Sequence, residues 1–310
     1  MKTELFEFEG QGGSRLSACL WRPEGEVKAV VQITHGMTEH MGRYDGLAGS
    51  LCGLGIAVAG FDLRGHGRNP GDGAVASFGE GGWAASIEDL RLFYGLLGEK
   101  FPGAPRFMLG FSLGSFLLRE YLSRYPGEGE PAGAIIMGTG HQSGWLLSMM
   151  MAVVNGQIKK AGFDKTTDLV RQLSFGAYNQ KFQPNRTSAD WLCADEVALD
   201  RYLADPLVRK DISAGLFREL LGSMKRTGRA CEYDGWDTGL PILLISGQED
   251  PVGDGGKGVR AIYSRMKKSG MEHVTMKLFP GARHDLLHEE KNGADAARKL
   301  IAQWIISNIK

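Results

Sequence analysis

The chain has 310 residues, of which 43% are hydrophobic, so it can bury a sizeable core in one large domain or two ordinary ones. Its 36 basic and 36 acidic residues cancel, and the absence of a Lys/Arg-rich run argues against nucleic-acid binding. We therefore expect a small-molecule substrate. The N-terminus alternates charged and apolar residues and lacks the pattern of a signal peptide, which favours a cytoplasmic protein.

The cysteines and the apolar runs limit other classes of site. Cys19, Cys52, Cys193 and Cys231 are far apart and have no His or Cys neighbours at metal-ligand spacing. We expect reduced, packed thiols and no metal site. The longest apolar run, GWLLSMMMAVV, is shorter than the roughly 20 residues that span a bilayer, so we expect no transmembrane anchor.

The predicted elements begin with two alternating segments, residues 4–9 and 15–21, which indicate an antiparallel hairpin. Continuous apolar runs follow, and these predict strands that are buried on both faces of a parallel sheet. They cover residues 29–34, 55–62, 105–111, 132–138, 241–246 and 274–279. Helical patterns lie at 84–98, 114–124, 257–268 and 293–308. Alternation of strands and helices predicts an α/β fold with right-handed crossovers.

The alternation stops after Gly138 and resumes only near Leu240. The intervening segment is rich in Met, Trp, Leu and charged residues, with helical patterns at 192–203 and 215–224. Because the chain then returns to the sheet, we predict a core domain of residues 1–138 and 239–310. Residues 139–238 would form an inserted helical cap.

The clearest chemical signal is GFSLG at residues 110–114. A GxSxG pattern alone is weak in a chain with 45 glycines, but here an apolar strand precedes it and a helical pattern follows. A tight strand-to-helix turn would hold Ser112 in strained geometry at the carboxyl end of the sheet. The backbone N–H of Leu113, at the start of the helix, would then point at the developing oxyanion.

A serine nucleophile needs a general base, and the base should follow a late strand. Three histidines lie in that part of the chain: His273, His284 and His288. His273 precedes the strand at 274–279 and His288 lies about a turn farther on, whereas His284 comes directly after the strand. We therefore favour His284 over His288.

The third member of the site should be an acid that orients this base. Glu249 and Asp250 both follow the strand at 241–246. We favour Asp250, because Pro251 after it prevents a helix from continuing there. If Asp250 only started a turn, His284 would be left without an orienting group.

The second oxyanion donor should come from the loop after the strand at 29–34, which reads THGMTEHMGRY. The turn at Gly36 would bring the backbone N–H of Met37 to the same crevice as that of Leu113. We interpret His35 in this loop, and His66 in FDLRGHGRNPGDG, as structural histidines.

These motifs resemble one known family. THGMTEHMGRY, FDLRGHGRNPG, GFSLGS, SGQEDPVG and GARHDLLHEE occur in the order found in the monoacylglycerol lipase and lysophospholipase branch of the α/β-hydrolases, sometimes labelled serine aminopeptidase-like. NRTSADWLCADEVALDRYLADPL also resembles the cap segment of bacterial members. The resemblance covers nearly the whole chain. It implies an α/β-hydrolase fold, with a mostly parallel sheet, flanking helices, an N-terminal antiparallel hairpin and an inserted helical cap.

The same resemblance implies Ser112 as nucleophile, Asp250 and His284 as its partners, and Met37 and Leu113 as oxyanion donors. The expected reaction is hydrolysis of a lipid-like carboxylic ester through an acyl-Ser112 intermediate, with no metal or organic cofactor. Members of the branch act on monoacylglycerols, lysophospholipids or simple esters, so the resemblance leaves the substrate open.

The apolar segment at residues 145–153 has two interpretations. Leu146, Leu147 and Met150 could form an acyl-binding wall, or they could pack the cap onto the main domain. The same segment would allow transient contact with a membrane surface.

Two other functions stay open from the sequence. An aminopeptidase would need an anionic group for a free α-amine, which Asp190, Asp195 or Glu196 could supply. A non-catalytic binding protein on a hydrolase scaffold is the other alternative. The sequence does not predict an oligomeric state.

Overall fold

The computed structural model describes residues 1–69, 71, 74–127, 129, 131–290 and 293–309, without the side chains of residues 230 and 231. Its strands are β1 (Lys2–Glu9), β2 (Arg15–Arg22), β3 (Ala29–Thr34), β4 (Ile56–Phe61), β5 (Val75–Ala76), β6 (Arg106–Phe111), β7 (Gly133–Met137), β8 (Asp211–Ile212), β9 (Ile242–Gly247) and β10 (Val274–Phe279). The predicted strands are therefore all present, and their ends shift by at most two residues.

Its helices are α1 (Asp45–Cys52), α2 (Gly82–Lys100), α3 (Leu113–Arg124), α4 (Gly144–Ala161), α5 (Asp168–Arg171), α6 (Ala177–Asn179), α7 (Glu196–Ala204), α8 (Ala214–Arg226), α9 (Lys257–Lys268) and α10 (Ala294–Ser307). A π-helical turn, Gln172–Gly176, joins α5 to α6. The sequence analysis did not predict α1.

The main sheet has the strand order β1-β2-β4-β3-β6-β7-β9-β10. β1 and β2 form the predicted antiparallel hairpin, and β2 also pairs antiparallel with β4. The pairs from β4 through β3, β6, β7 and β9 to β10 are parallel. The predicted α/β-hydrolase sheet is confirmed, and the carboxyl ends of its parallel strands meet at one edge.

Helices cover both faces of this sheet. Neighbouring residues of β3 point to opposite faces, so Val30 packs in one core cluster and Val31 in the other. The first cluster includes side chains of α2, α3 and α9, and the second includes side chains of α1 and α10. Burial on both faces explains why these strands are continuously apolar.

The chain between β7 and β9 is mostly helical and contains α4 to α8. α4 packs against α8, and α8 also contacts α3 of the main layer. The short parallel pair of β5 and β8 joins this insertion to the loop after β4. The helical insertion thus lies between β7 and β9, while the predicted division into a core domain and a cap of residues 139–238 stays a prediction.

One helix of the insertion begins later than predicted. The pattern at 192–203 suggested a helix from Leu192, but α7 begins at Glu196. The carboxylate of Asp195 accepts hydrogen bonds from the N–H groups of Val197 and Ala198, which caps the helix at that point. Residues 192–195 therefore lie outside the helix, in a segment that can contact the main domain.

The thiols that the structure describes agree with the sequence expectation. Cys19, Cys52 and Cys193 are buried and free. The side chain of Cys231 lies outside the described residues.

Candidate active site

Ser112 stands at the turn between β6 and α3, with φ 50° and ψ −116°. A positive φ is uncommon for a residue with a side chain and marks local strain. Two backbone hydrogen bonds hold this turn. The Ser112 N–H donates to the carbonyl of Met137 at 3.0 Å. The Ser112 carbonyl in turn accepts from the N–H of Ser115 at 2.8 Å. The strained serine is therefore fixed by backbone hydrogen bonds.

The two glycines of GFSLG are required by close backbone approaches. A Cβ at Gly114 would lie 2.1 Å from the carbonyl oxygen of Thr34 in β3. A Cβ at Gly110 would lie 2.4 Å from the carbonyl oxygen of Gly114. Because both obstacles are backbone atoms, any larger residue would displace the turn that carries Ser112.

The structure brings the three predicted residues together. The Nε2 atom of His284 lies 2.8 Å from Ser112 Oγ, and its Nδ1 atom lies 2.9 Å from Asp250 Oδ2. Asp250 Oδ2 also accepts from the Ser246 hydroxyl at 3.0 Å, and Asp250 Oδ1 accepts from the Val252 N–H at 2.8 Å. A buried carboxylate at Nδ1 assigns the proton to that atom, which leaves the Nε2 lone pair facing the serine.

Glu249, His273 and His288, which were weighed as alternatives to Asp250 and His284, lie outside this hydrogen-bonded series. Glu249 and His273 are exposed. Nδ1 of His288 lies 2.8 Å from a carboxylate oxygen of Asp285, and its Nε2 lies 3.1 Å from the backbone carbonyl of Arg43. Although burial disfavours the imidazolium, this carboxylate raises the pKa of His288. Burial alone would raise the pKa of Asp285, but His288 and Arg43 hold it well below its usual range.

The loop after β3 presents a peptide group with a fixed direction. The Leu63 N–H donates to Nε2 of His35 at 2.8 Å, so the imidazole proton is on Nδ1, which donates to the Gly36 carbonyl at 2.7 Å. In a trans peptide the N–H points away from the carbonyl, so the Met37 N–H points away from His35. Met37 lines the same cavity as Ser112, and Leu113 supplies the first N–H of α3, which has no helical acceptor.

Both histidines that we interpreted as structural are buried. Burial lowers the pKa of His35, which agrees with a neutral ring that accepts one backbone bond and donates another. Burial also lowers the pKa of His66 to about 3, and its Nδ1 donates to the Arg64 carbonyl at 2.8 Å.

A buried polar network supports this loop, and the sequence analysis missed it. One oxygen of the Glu39 carboxylate accepts from the Gly36 N–H at 2.6 Å and from the Tyr44 hydroxyl at 2.8 Å. Arg43 donates to the other oxygen at 3.0 Å and also binds Asp285, which follows His284 in the chain. The signal was present in TEHMGR, where Glu39 and Arg43 are four residues apart, but Asp285, the second partner of Arg43, is distant in sequence.

A cavity of about 740 Å³ opens above Ser112 and His284. This volume lies within the usual range for small-molecule sites. The apolar part of its wall consists of Met37, Ala74, Phe111, Phe175, Ala189, Trp191, Leu192, Leu203, Ala204, Pro206 and Val208. Polar residues of the wall include Thr38, Ser188, Tyr202, Arg209 and Lys210.

The first interpretation of residues 145–153, an acyl-binding wall, does not describe this cavity, because Leu146, Leu147 and Met150 do not line it. Leu147 is 1% exposed and packs in the core cluster, where Met150 also packs from its edge. Leu146 is half-buried and likewise does not line the cavity. The reason is that α4 uses its apolar side to pack against α8, so the second interpretation of this segment describes Leu147 and Met150. The apolar wall comes instead from the segments around Phe175 and Trp191.

Among the described residues, no three His, Cys, Asp or Glu side chains are grouped so that they could hold a metal ion. In the same part of the chain, no helix is both long enough and apolar enough to cross a membrane.

Comparison with known proteins gives a consistent family. The model of the family described as "Serine aminopeptidase, S33" matches residues 25–291. The chain is 28% identical to a monoacylglycerol lipase of Mycolicibacterium smegmatis, over 97% of this chain and 96% of the relative. It is 27% identical to the human monoglyceride lipase, over 90% of this chain and 82% of the relative.

Solved structures show the same fold. A thermostable carboxyl esterase from Bacillus coagulans matches with a TM-score of 0.87 and 24% identity, covering 100% of both chains. A soluble variant of the Saccharomyces cerevisiae monoglyceride lipase matches with a TM-score of 0.76 and 20% identity, covering 99% of this chain and 96% of the other. The solved structures confirm the α/β-hydrolase fold. The family model and the relatives confirm the monoacylglycerol lipase-like branch and agree with the expected class of carboxylic ester hydrolase. The chain belongs to the serine aminopeptidase S33 family of α/β-hydrolases.

Proposed function

We propose that this protein hydrolyses monoacylglycerols through an acyl-Ser112 intermediate. The observation that carries the proposal is the hydrogen-bonded series Ser112–His284–Asp250 at the base of a largely apolar cavity. The names of the relatives, monoacylglycerol lipase and monoglyceride lipase, support the same substrate class.

The proposed reaction has two halves. In the first, Ser112 Oγ attacks the ester carbonyl while His284 Nε2 takes the serine proton, and Asp250 stabilises the imidazolium. The N–H groups of Met37 and Leu113 bind the negative oxygen of the tetrahedral intermediate. His284 then gives the proton to the departing glycerol. In the second half a water molecule, deprotonated by His284, releases the fatty acid and restores the serine.

The cavity wall suggests where each part of the substrate binds. Phe175, Trp191 and Leu192 would contact the acyl chain. A polar corner forms where the Thr38 hydroxyl lies 2.8 Å from the hydroxyl of Tyr202, and this corner would take the glycerol hydroxyls. Lys210 lies in the same wall and is the group that would meet the phosphate of a lysophospholipid.

An aminopeptidase would need an available anion, and among the described residues Asp190, Asp195 and Glu196 do not line the cavity. Asp190 accepts the N–H groups of Arg186 and Thr187, and Asp195 caps α7. The acidic residues of the cavity wall, Glu39, Asp205 and Asp285, are each paired with His40 or Arg43. A substrate α-amine would have to break one of these pairs, which favours an ester over an aminoacyl substrate.

We also propose that the outer face of α4 makes transient contact with lipid aggregates. Trp145, Met149 and Val153 are spaced by four residues and are 70%, 52% and 40% exposed. Apolar side chains on one helix face are typical of interfacial helices. Trp145→Ser should slow hydrolysis of vesicle-borne substrate and leave a soluble acetyl ester unaffected. Equal effects on both substrates would contradict membrane contact. The cytoplasmic location stays a prediction.

A substrate series tests the main proposal. It compares kcat/KM for monoacylglycerols of increasing chain length, lysophosphatidylcholines and aminoacyl nitroanilides. We expect about a fourfold gain per methylene, from about 0.8 kcal/mol each, until the pocket is full, and little anilide hydrolysis. Preference for the lysophospholipid, lost in Lys210→Met, would assign that substrate instead. Preference for the anilide would overturn the ester proposal.

A further inference from the structure

Two aromatic rings lie against the imidazole of His284. The first is Phe111, at the end of β6, whose ring centroid is 4.9 Å from that of the imidazole. The second is Trp191, which comes from the helical insertion and lies 5.1 Å away, with an angle of 34° between the ring planes. Trp191 is 5% exposed. The insertion therefore places a buried indole directly on the side chain proposed as the general base.

The indole is held firmly in this position. The backbone N–H of Trp191 donates to Asn179 Oδ1 at 3.0 Å. The ring of Phe175 is stacked on it at 5.7 Å, and that of Tyr178 is tilted against it at 5.2 Å. Packing from several sides leaves the indole little room to rotate.

The backbone beside Trp191 also binds the loop that carries His284. The carbonyl of Leu192 accepts from the N–H of Asp285 at 2.7 Å. One carboxylate oxygen of Glu289 accepts from the N–H of Ala194 at 2.8 Å and from the N–H of Arg283 at 3.1 Å. The residues on both sides of His284 are thus held by the segment that carries the indole, directly or through Glu289.

We propose that Trp191 is a positioning residue for His284, whose indole stabilises the imidazolium formed during the reaction and keeps water from the His284–Asp250 pair. A cation within about 6 Å of an aromatic centroid is attracted to the ring, and Trp gives the strongest attraction. Because the imidazole is charged only after it takes the Ser112 proton, this attraction would favour the transition state over the ground state. The inference rests on the proposed function.

Other groups also face His284 and would influence its charge. Asp250 faces Nδ1 and Ser112 faces Nε2. Asp285, next in the chain, is paired with Arg43 and His288. The nearby Tyr178 is different, because burial raises the pKa of its phenol to about 12, so that it stays neutral and adds no charge beside the imidazole. All of these groups remain when Trp191 is replaced, so a comparison of variants isolates the indole.

The experiment compares Trp191→Leu, which keeps an apolar group, with Trp191→Phe, which keeps an aromatic ring. With a small acetyl ester, the leucine variant should lower kcat about 2- to 30-fold, as expected from about 0.5–2 kcal/mol. Its activity should also persist to lower pH, since a less stabilised imidazolium forms only at lower pH. The acidic limb of the pH–rate profile should move down by about 0.4 to 1.5 pH units. The phenylalanine variant should lie between the leucine variant and wild type.

A second readout needs no turnover. Protonated imidazole quenches the fluorescence of an adjacent indole more strongly than the neutral ring does. The difference in emission between wild type and Trp191→Phe should therefore fall on acidification, with the same midpoint as the activity. A pH-independent difference would overturn the inference even if Trp191→Leu failed to fold.

The control is Tyr178→Leu. The ring of Tyr178 packs against Trp191, and within the described part of the chain it makes no ring contact with the imidazole of His284. We expect a lower melting temperature and an unmoved acidic limb. An equal shift in this control, or an unmoved limb in Trp191→Leu, would show that Trp191 only supports the fold. A fluorophosphonate probe should label Ser112 in all variants, and failure to label wild type would refute the proposed function instead.

Discussion

Replacing Asp250 by Asn changes one atom in a buried site with fixed hydrogen bonds. Asp250 Oδ1 accepts from the Val252 N–H, while Oδ2 accepts from the Ser246 hydroxyl and from His284 Nδ1. The Val252 N–H can only donate, whereas a hydroxyl can rotate to accept. The amide oxygen of Asn should therefore face Val252, and its NH₂ group should face Ser246 and His284.

In that orientation the amide donates a hydrogen bond to His284 Nδ1, and the imidazole proton moves to Nε2. Nε2 is the atom 2.8 Å from Ser112 Oγ, so it could no longer accept the serine proton. The opposite orientation would place two donors at the 2.8 Å contact with Val252, a mismatch that costs about 1–3 kcal/mol. A wrong tautomer in such a triad lowers kcat by about 10⁴-fold.

The assay is kcat on a p-nitrophenyl ester, with circular dichroism to confirm that Asp250→Asn folds. Glu249→Gln is the matched control, since it makes the same chemical change at the exposed neighbouring residue and should stay near wild type. A loss below tenfold in Asp250→Asn, or an equal loss in both variants, would refute the assignment of Asp250 as the orienting acid.

Three further predictions follow from the same structure. In Gly114→Ala, the new Cβ would lie 2.1 Å from the carbonyl oxygen of Thr34, so the serine turn should shift and kcat should fall about 100-fold or more. Wild-type turnover in this variant would contradict the required close approach. Leu147→Ala should reduce the free energy of unfolding by about 2–5 kcal/mol in denaturant titrations while leaving chain-length preference intact, whereas a changed preference would return this residue to the acyl wall. Burial raises the pKa of Glu219 to about 7. Between about pH 4.3 and pH 7 the folded state therefore holds a proton that the unfolded state has lost. The melting temperature should fall as pH rises through this range. Glu219→Gln should remove that part of the slope, and an unchanged slope would assign it to other groups.

The sheet and the three central site residues were accessible to sequence analysis for local reasons. β3, which is buried along its length, and β10, an edge strand of which only Val274 and Phe279 are buried, both match their predicted bounds. Ser112, Asp250 and His284 each follow such a strand, and the carboxyl ends of parallel strands meet at one edge of the sheet.

The cavity wall and the contacts of His284 were not accessible in this way. The apolar side of α4 fits a substrate wall and a helix interface equally well, and only its packing against α8 decides between them. Trp191 lies just before the helical pattern at 192–203, which was misleading in its first residues because the cap formed by Asp195 starts α7 later. Its contact with the imidazole depends on how distant segments pack, as does the contact between Arg43 and Asp285.

The central claim, that Ser112 is the nucleophile, is tested most directly by intact-mass analysis after treatment with a fluorophosphonate. We expect wild type to gain a single phosphonyl group, located by peptide mapping on Ser112. Folded Ser112→Ala should gain none and should have lost about 10⁶-fold in kcat. An adduct on another residue, or equal labelling of Ser112→Ala, would contradict the account.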